Sequence, residues 1–407
     1  MPTPSPANPP RRVNLRTPEV MTQVQALVES HYRSEVVEHL RANGGSITAG
    51  GITVKLAKQF GFCYGVERAI DLAYAAAKVF KERRLFILGE IIHNPEVNEQ
   101  IQALGICNMV GHHSPPDISR LEANDVVIVP AFGTDVDTLA RIKERGCQIV
   151  DTTCGDVMSV WKRVRHNAAG DITSIIHGKA QHEETKATAS RAVSGGKGHY
   201  LVVLTLDETD FVCDYIRHGG DKAAFLARFK GATSPGFDPD LHLRRVGVAN
   251  QTTMLRGETE EVQNRIKAAI TDRDGAELAA ENFRFFDTIC GATQERQDAL
   301  TQMLNEPMDL LLVVGGYNSS NTSHLAELGQ HVLPTFFIGN AARLGSREHI
   351  YHYDLQTRSE IVTKHWLPTG PVTIGITAGA SCPNNLIEET ILRVFALHGV
   401  SRETLLA

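Results

Sequence analysis

Short runs of β-branched and apolar residues alternate with segments at helical spacing along most of the chain. The run ITVKLAKQF at 52–60 is followed by VERAIDLAYAAAKVF at 66–80, whose apolar residues recur every three or four positions. The same rhythm returns in LFILGEII, VVIVPAF, CQIVDTT, SIIHGK, YLVVLTL, RRVGVAN, FRFFDTI, LLLVVGG, TFFIG and VTIGITA. Strands that alternate with helices are typical of α/β proteins with mainly parallel sheets. The runs are too many for one ordinary sheet, so we expect several.

The spacing of similar strand ends predicts a modular chain. The interval from Cys63 to Cys154 equals that from Cys290 to Ser381, and the interval between Cys154 and Cys290 is longer. Residues 214–245 are rich in charge, Gly and Pro and are predicted as an insertion in the middle module. The predicted domains are an N-terminal extension at 1–52, and α/β modules at 53–153, 154–289 and 290–407.

The predicted extension has two parts. Residues 1–18 are rich in Pro and are expected to be disordered. Residues 19–42 place apolar side chains at near-helical spacing, which predicts one or two amphipathic helices. We therefore expect an appendage that precedes the first module.

Composition and charge narrow the class of protein. The 407 residues are 42% hydrophobic and 22% charged, within the range of globular enzymes. A net charge of -6 gives no general attraction to nucleic acid or anionic lipid, so an anionic ligand needs a local pocket. The apolar runs are too short to span a membrane, and no CxxC pair occurs among the seven cysteines. We expect a cytoplasmic protein without nucleic-acid or membrane partners; a plastid stroma is also compatible.

Three of the cysteines share one sequence context. Cys63, Cys154 and Cys290 each follow a predicted strand and precede a predicted helix, with a Gly one or two residues later. Ligands of open α/β sheets gather at such strand ends, and helix N-termini favour the thiolate form. Three thiolates suit zinc or an iron–sulfur cluster. The alternative is that all three are small buried residues, as free cysteines often are.

The remaining cysteines and two histidine pairs lack this context. Cys107, Cys147, Cys213 and Cys382 are predicted to serve packing. His112 with His113 and His349 with His352 are predicted to lie in loops and are not assigned to a metal.

Polar residues at further strand ends predict an anion pocket and an acid. His93, His182, the segment 318–321 (NSSN) and the turn 377–381 (TAGAS) offer neutral hydrogen-bond donors for phosphate oxygens. Glu184 and Thr252 follow two other strands, and a carboxyl hydrogen-bonded to a hydroxyl can relay a proton. Each segment also fits an ordinary helix cap or a solvated helix start.

Taken in order, nine motifs resemble the 4-hydroxy-3-methylbut-2-enyl diphosphate reductase family over about residues 53–398. They are GFCYGVERAI, IIHNPEV, DTTCGDV, HEET, NQTT, DTICGAT, RQDAL, VVGGYNSSNTSHLAEL and ITAGAS. The long N-terminal segment and the insertion are similar to the longer branch of the family. The resemblance implies three α/β modules in a pseudo-threefold cloverleaf around a central [4Fe–4S] cluster.

The resemblance also implies the reaction, the last step of the non-mevalonate isoprenoid pathway. The open iron of the cluster binds the allylic hydroxyl of (E)-4-hydroxy-3-methylbut-2-enyl diphosphate, and reduction gives isopentenyl and dimethylallyl diphosphates. Ferredoxin or flavodoxin supplies the electrons, and Lys55, Lys58 and Lys179 are candidates for a basic rim that binds it. The implied roles are cluster ligation by Cys63, Cys154 and Cys290; proton relay by Glu184 and Thr252; and diphosphate binding by His93, His182, Thr253, Ser319, Ser320, Asn321 and Ser381.

One position departs from the family pattern. The short branch has a diphosphate-binding His in a Ser-Ala-His-Gly turn, whereas this chain reads Pro130-Ala131-Phe132-Gly133. Phe132 cannot donate a hydrogen bond, so another group is needed if that contact is to be replaced.

Three other functions remain open from the residues. The chain is alternatively another three-module [4Fe–4S] enzyme such as quinolinate synthase, a non-catalytic iron–sulfur redox protein, or a zinc hydrolase. The NSSN and HEET motifs argue against the first of these. A redox carrier is expected to have four protein ligands and little polar pocket.

Overall fold

The structure is a computed structural model that describes residues 13–110, 116–196, 198–286 and 288–406. Of the residues 1–18 predicted to be disordered, 1–12 lie outside the described residues, as do the loop predicted for His112 and His113 and the motif residue Asp287. Within the described part of this segment, Leu15 is buried and Pro18 begins a helix, so the prediction is wrong there.

The elements are numbered in chain order. The strands are β1 (Ser46–Ala49), β2 (Ile52–Leu56), β3 (Leu85–Ile87), β4 (Ile106–Asn108), β5 (Val126–Val129), β6 (Gln148–Asp151), β7 (Thr173–His177), β8 (Tyr200–Val203), β9 (Val246–Asn250), β10 (Phe283–Phe285), β11 (Leu310–Val314), β12 (Thr335–Ile338), β13 (His349–Asp354), β14 (Ser359–Lys364) and β15 (Val372–Ala378). The helices are α1 (Pro18–Tyr32), α2 (Glu35–Ala42), α3 (Tyr64–Val79), α4 (Pro95–Ala103), α5 (Val136–Glu144), α6 (Gly155–Ala169), α7 (Glu183–Val193), α8 (Leu206–His218), α9 (Lys222–Arg228), α10 (Pro239–His242), α11 (Arg256–Asp274), α12 (Ala276–Asn282), α13 (Gly291–Leu304), α14 (Ser320–Gln330), α15 (Asn384–Ala396) and α16 (Arg402–Leu406).

The described residues form two compact units, and each is considered by itself. One unit comprises Glu82–Gly89 and Cys107–Cys290. The other comprises Asn14–Lys81, Glu90–Ile106 and the described residues from Gly291 onward. We call them the cysteine-pair unit, because it holds Cys154 and Cys290, and the Cys63 unit.

A seven-stranded sheet organises the Cys63 unit, in the order β1-β2-β15-β11-β12-β13-β14. The central strands β2, β15, β11 and β12 are parallel, with Val54 opposite Ile374 and Leu312 opposite Ile376. Strand β11 is buried at every residue, as expected for a parallel strand covered on both faces. Antiparallel strands lie at both edges, β1 on β2 and the β13–β14 hairpin on β12.

The cysteine-pair unit contains two smaller sheets. Strands β10, β9, β7 and β8 are adjacent in that order, and every pairing between them is parallel. The other sheet has the order β4-β3-β5-β6, in which β3, β5 and β6 are parallel. The predicted fold class, α/β with several mainly parallel sheets, is therefore confirmed.

The segment before the first predicted module is part of the core rather than an appendage. Val36, Val37 and Leu40 of α2 are fully buried within the hydrophobic core of the Cys63 unit. Strand β2 pairs with β15, which lies more than 300 residues later in the chain. The module boundaries stay a prediction.

One predicted histidine pair lies in a different element from the one expected. His349 and His352 belong to strand β13, so their predicted loop position is wrong. His352 Nε2 lies 2.8 Å from Thr363 Oγ1 on the neighbouring strand.

In the described part of the chain, the helices are too short or too polar to cross a membrane.

The buried parallel strands predict where the Cys63 unit is most sensitive to truncation. Leu312→Ala removes a fully buried side chain from β11 and is expected to cost about 2–5 kcal/mol in the free energy of unfolding. Val362→Ala, at a position of β14 that is 49% exposed, is the control and is expected to cost about 0.5 kcal/mol or less. Urea unfolding of the full chain, followed by far-UV circular dichroism, measures both. Equal losses would contradict the assignment of β11 to the core.

Candidate active site

Cys63 lies in a turn that is fixed by the end of strand β15. It is the N-cap residue of α3, and its backbone N–H donates a hydrogen bond to the Ala380 carbonyl at 3.3 Å. Two residues earlier, the N–H of Gly61 donates to the Ala378 carbonyl at 3.4 Å, with Gly61 at φ +78. The thiol is half-buried and lies at the N-terminus of a 16-residue helix.

Cys154 occupies the same kind of position in the cysteine-pair unit. It is the N-cap residue of α6, and its N–H donates to the Ala131 carbonyl at 2.8 Å. Its half-buried side chain packs against a small apolar cluster of Val157, Trp161 and Ala187. The turn is therefore held by a backbone bond on one side and by packing on the other.

Cys290 is linked to the predicted acid by a continuous line of hydrogen bonds. The N–H of Cys290 donates to the Thr252 carbonyl at 3.2 Å. Thr252 in turn donates to both carboxyl oxygens of Glu184, from its N–H at 2.6 Å and from its hydroxyl at 3.0 Å. Glu184 is only 3% exposed. A buried carboxyl needs such partners, because burial without hydrogen bonds is strongly unfavourable.

His182 and Thr253 lie next to this line. His182 is the N-cap residue of α7, and its Nδ1 accepts a hydrogen bond from the Glu184 N–H at 3.2 Å. The Thr253 hydroxyl accepts a hydrogen bond from Gln251 Nε2 at 2.8 Å. The Phe132 ring lies edge-on to the His182 ring, with the centroids 6.4 Å apart. Phe132 thus packs against a predicted ligand-binding histidine although it cannot bind an anion itself.

The Cys63 unit brings five of the predicted diphosphate-binding residues together. Ser381 Oγ donates to the His93 carbonyl at 3.1 Å and lies 3.4 Å from Ser319 Oγ. Asn321 Oδ1 accepts a hydrogen bond from the N–H of Ala380, the residue before Ser381, at 2.9 Å. Ser319 caps α14, and Ser320 is the first residue of that helix. The pocket therefore joins the ends of β11 and β15 to the N-terminus of α14.

Asn321 leaves a buried donor directed at no protein group. Its Nδ2 atom is buried and has no hydrogen-bond partner within the described residues. An unpaired buried N–H costs free energy, so such a group in a native structure commonly indicates a ligand contact. The hydroxyls and the amide at this helix N-terminus suit an anion such as phosphate.

His93 has a defined orientation. Its Nδ1 lies 3.0 Å from Glu90 Oε2, and the same carboxyl oxygen accepts a hydrogen bond from Asn318 Nδ2 at 2.7 Å. A carboxylate beside Nδ1 favours the tautomer that carries its proton there. The imidazole side chain is 14% exposed.

Glu90 and Gln251 were not assigned a role from the sequence, and Asn318 was predicted only as part of the NSSN segment of the anion pocket. Gln251 Oε1 accepts hydrogen bonds from the Lys179 N–H at 3.1 Å and from the Thr185 hydroxyl at 3.2 Å, so it ties the start of α7 to the end of β9. Asn318 and Gln251 lie inside motifs that the sequence displays, and Glu90 directly precedes the motif IIHNPEV. Their positions were visible, but their partners depend on the fold.

The other cysteines divide into buried and exposed. Burial raises the pKa of the Cys147 and Cys382 thiols and raises that of Cys213 to about 12. Their predicted packing role is confirmed, since all three are buried. Cys107 is exposed, so its predicted packing role is wrong. Strand β4 is short and only its first residue is buried.

The model of the LytB protein family matches residues 54–395. The chain belongs to the LytB family. A relative from Gloeobacter violaceus, described as 4-hydroxy-3-methylbut-2-enyl diphosphate reductase, is 50% identical over 383 residues, covering 93% of this chain and 91% of the relative. A protein of the same description from Thermosynechococcus vestitus is 47% identical over 380 residues, covering 93% of each chain.

Solved structures support the fold of this LytB chain. The diphosphate reductase of Plasmodium falciparum superposes with a TM-score of 0.61 at 20% identity, over 83% of this chain and 86% of that one. A second structure, described as the terminal enzyme of the non-mevalonate pathway, gives a TM-score of 0.52 at 24% identity, over 84% and 99%. At these identities the likeness concerns the fold alone.

The donor set fits the iron–sulfur cofactor that LytB membership suggests. Cys63, Cys154 and Cys290 are all half-buried cysteines outside disulfides. Each directly precedes a helix of at least 14 residues, where the helix dipole favours a negative charge. Soft thiolate ligands at such positions are those that iron–sulfur clusters require.

The burial of the thiols predicts their order of reactivity in the metal-free folded chain. Cys213 and Cys382 are expected to react with iodoacetamide far more slowly than Cys107, because they are buried and their raised pKa values leave little thiolate at about pH 8. Cys63, Cys154 and Cys290 are expected to react at intermediate rates. Pulse alkylation with peptide mass spectrometry measures each rate, and the chain unfolded in urea is the control. Labelling of Cys213 at the rate of Cys107 would be the contrary result.

Proposed function

We propose that this protein reduces (E)-4-hydroxy-3-methylbut-2-enyl diphosphate to isopentenyl and dimethylallyl diphosphates. Two electrons and two protons enter, and the allylic hydroxyl leaves as water. The relatives from Gloeobacter violaceus and Thermosynechococcus vestitus carry the name of this activity and align over 93% of the chain. Isopentenyl formation of this kind is the last step of the non-mevalonate isoprenoid pathway.

The observation that carries the proposal is the line from Cys290 through Thr252 to Glu184. It places a buried carboxyl, with both oxygens engaged by one threonine, two hydrogen bonds from a proposed cluster ligand. An acid in this position can deliver a proton to a leaving hydroxyl held nearby. A plain electron carrier has no evident use for such an acid, whereas a zinc hydrolase is separated from this proposal by the metal that the purified protein contains.

The proposed cofactor is a [4Fe–4S] cluster bound by Cys63, Cys154 and Cys290. When bound, such a cluster supplies the electrons and an iron that acts as a Lewis acid toward the allylic oxygen. The chain's own residues do the remaining work. Once Glu184 is protonated, it can donate that proton to the Thr252 oxygen, 3.0 Å from its carboxyl oxygen, while the Thr252 hydroxyl gives its own proton to the leaving hydroxyl.

The diphosphate is proposed to bind to neutral donors. Asn321 offers its buried Nδ2, and Ser319, Ser320 and Ser381 offer hydroxyls at the N-terminus of α14. His93, whose Nδ1 lies 3.0 Å from Glu90 Oε2, is a further proposed contact through its imidazole ring. His182 and Thr253 are the further proposed contacts from the cysteine-pair unit.

The electron donor is proposed to be ferredoxin or flavodoxin. Of the lysines predicted to form a basic rim, Lys58 is exposed, whereas Lys55 is ion-paired with Glu306 at 2.7 Å. That pair neutralises Lys55, so Lys58 is the better candidate for an acidic carrier. The cytoplasmic location, and the absence of nucleic-acid and membrane partners, remain predictions.

The ligand assignment predicts three variants without a cluster. Cys63→Ser, Cys154→Ser and Cys290→Ser are each expected to lose most of the iron and the brown colour, because serine is a poor ligand for these iron atoms. Iron and sulfide analysis of anaerobically purified protein measures the loss.

Two control variants accompany this series. Cys107→Ser changes an exposed thiol and Cys382→Ala changes a buried one, and both are expected to keep the wild-type iron content. Loss of iron from either would contradict the ligand assignment. A wild-type sample that contains zinc and no iron would favour a hydrolase instead.

The proton relay predicts the effect of removing the acid. Glu184→Gln keeps the shape of the side chain but cannot donate the proton, so kcat is expected to fall about 100-fold or more while the cluster stays intact. Turnover of the allylic diphosphate with reduced ferredoxin measures this effect. Glu258→Gln, an exposed glutamate in the first turn of α11, is the control and should turn over like the wild type. Near-normal turnover by Glu184→Gln would remove Glu184 from the mechanism.

A further inference from the structure

Three successive backbone carbonyls before Cys63 accept hydrogen bonds from arginine side chains. Arg41 Nη2 lies 3.4 Å from the Phe60 carbonyl oxygen, and its guanidinium carbon lies 4.3 Å from the centre of the Phe60 ring. Arg296 donates to the Gly61 carbonyl from Nε at 3.1 Å and from Nη2 at 2.6 Å. Its Nη2 also donates to the Phe62 carbonyl at 3.0 Å. We call residues 60–62 with these two arginines the arginine-held turn.

Burial and hydrogen bonds hold the side chain of Arg296 in one position. Its side chain is buried, with only 4% of the residue exposed, and Nη1 donates to the Ala292 carbonyl one turn earlier in α13 at 2.8 Å. The planar guanidinium therefore connects the first turn of α13 to the residues directly before Cys63. A rigid fork that donates in several directions fixes the geometry of the groups it binds.

The arginine-held turn brings two positive charges close together in a partly buried place. Burial lowers the pKa of Arg41, and the nearby positive charge of Arg296 lowers it further. Burial raises the pKa of Glu67, an effect that the charge of Arg296 opposes. Two like charges close together in a partly buried site cost stability unless a negative group balances them. Glu38 offsets part of the charge of Arg41 and Glu67 part of that of Arg296, and thiolates bound beside Cys63 would add to this balance.

Arginines that cap carbonyls also occur away from the cysteines. Arg393 donates to the Leu344 carbonyl at 2.9 Å and to the Gly345 carbonyl at 2.8 Å, and it lies in α15 of the same unit. Arg393 makes the same kind of contact as Arg296 but at a turn that carries no proposed ligand. It is therefore a matched control for the loss of a carbonyl-capping guanidinium.

We propose that Arg296 is a positioning residue for Cys63, which fixes the Gly61 and Phe62 carbonyls and balances the negative charge of the bound ligand set. This inference rests on the proposed function in one respect, that Cys63 binds the cluster. Arg41 supports the same turn from α2. Residues outside the first layer of ligands commonly set the orientation and the charge of a metal site.

Two substitutions separate geometry from charge. Arg296→Lys keeps the charge and loses the fork, whereas Arg296→Gln loses both. In the cluster-loaded chain, both variants are expected to release iron to a chelator about 10- to 100-fold faster than the wild type. The midpoint potential is expected to become more negative in Arg296→Gln and to stay near the wild-type value in Arg296→Lys, because removal of a nearby positive charge disfavours reduction.

A second readout does not need the cluster. In the metal-free full chain, both Arg296 variants are expected to show several-fold faster alkylation of Cys63, with Cys154 and Cys290 unchanged as internal references. Arg393→Gln is expected to leave the iron release, the potential and the alkylation rates at wild-type values.

The outcomes distinguish the two proposals. If wild-type protein reconstituted without oxygen binds no iron, the proposed function fails, while the alkylation rates still test the role of Arg296. If Arg296→Gln matches the wild type in iron release, potential and alkylation, the positioning role is refuted. Should Arg296→Gln lose its circular-dichroism signal, Arg296→Lys decides: the positioning role is refuted if that folded variant keeps wild-type iron release and Cys63 alkylation.

Discussion

The parallel pairing of β15 with both β2 and β11 is the constraint on which the Cys63 unit depends. Because the three strands run in one direction, their carboxyl ends emerge at the same edge of the sheet. The ladder continues beyond the strands: Ala57 donates to Ile376, Gly61 to Ala378 and Cys63 to Ala380. Cys63 is therefore placed by the same register that places Ser381, one residue beyond its partner Ala380. A slip of this register would move the proposed ligand and the proposed diphosphate contacts together.

A comparable rule operates in the cysteine-pair unit. Strands β7 and β9 are parallel, and Gln251 continues their ladder by donating from its N–H to the His177 carbonyl at 2.8 Å. The next residue, Thr252, meets the Glu184 carboxyl from one side and accepts from Cys290 on the other. The acid and the cysteine thus share one threonine. Its position follows from strand pairing, and so does the distance between the chemical groups that it joins.

The sequence predicted what local pattern determines and missed what distant packing determines. Continuous apolar runs such as LLLVV of β11 identify buried parallel strands, and small or sulfur-bearing residues after them identify the turns. The hairpin that contains His349 was missed, because β13 is only partly buried, β14 is largely exposed, and both carry mixed polar residues. Arg296 was not assigned a role either. Its carbonyl partner Gly61 is 235 positions away, and nothing in the pattern of α13 marks an arginine that will be buried.

In the Cys63 unit, the turn before Cys63 is bound by charged side chains, whereas the pocket around Ser319 and Ser381 contains neutral ones. Arginines hold the carbonyls before Cys63, whereas the serine-rich pocket contains hydroxyls and one amide. The Ser319 hydroxyl lies 2.9 Å from that of Thr322 and 3.4 Å from that of Ser381, so it accepts from its neighbours and keeps its own hydrogen for an anion. A lysine or arginine there would attract substrate and product equally, since both are diphosphates. If the proposed pocket binds the diphosphate, neutral donors at a helix N-terminus would bind this shared group more weakly, which would favour release of the product.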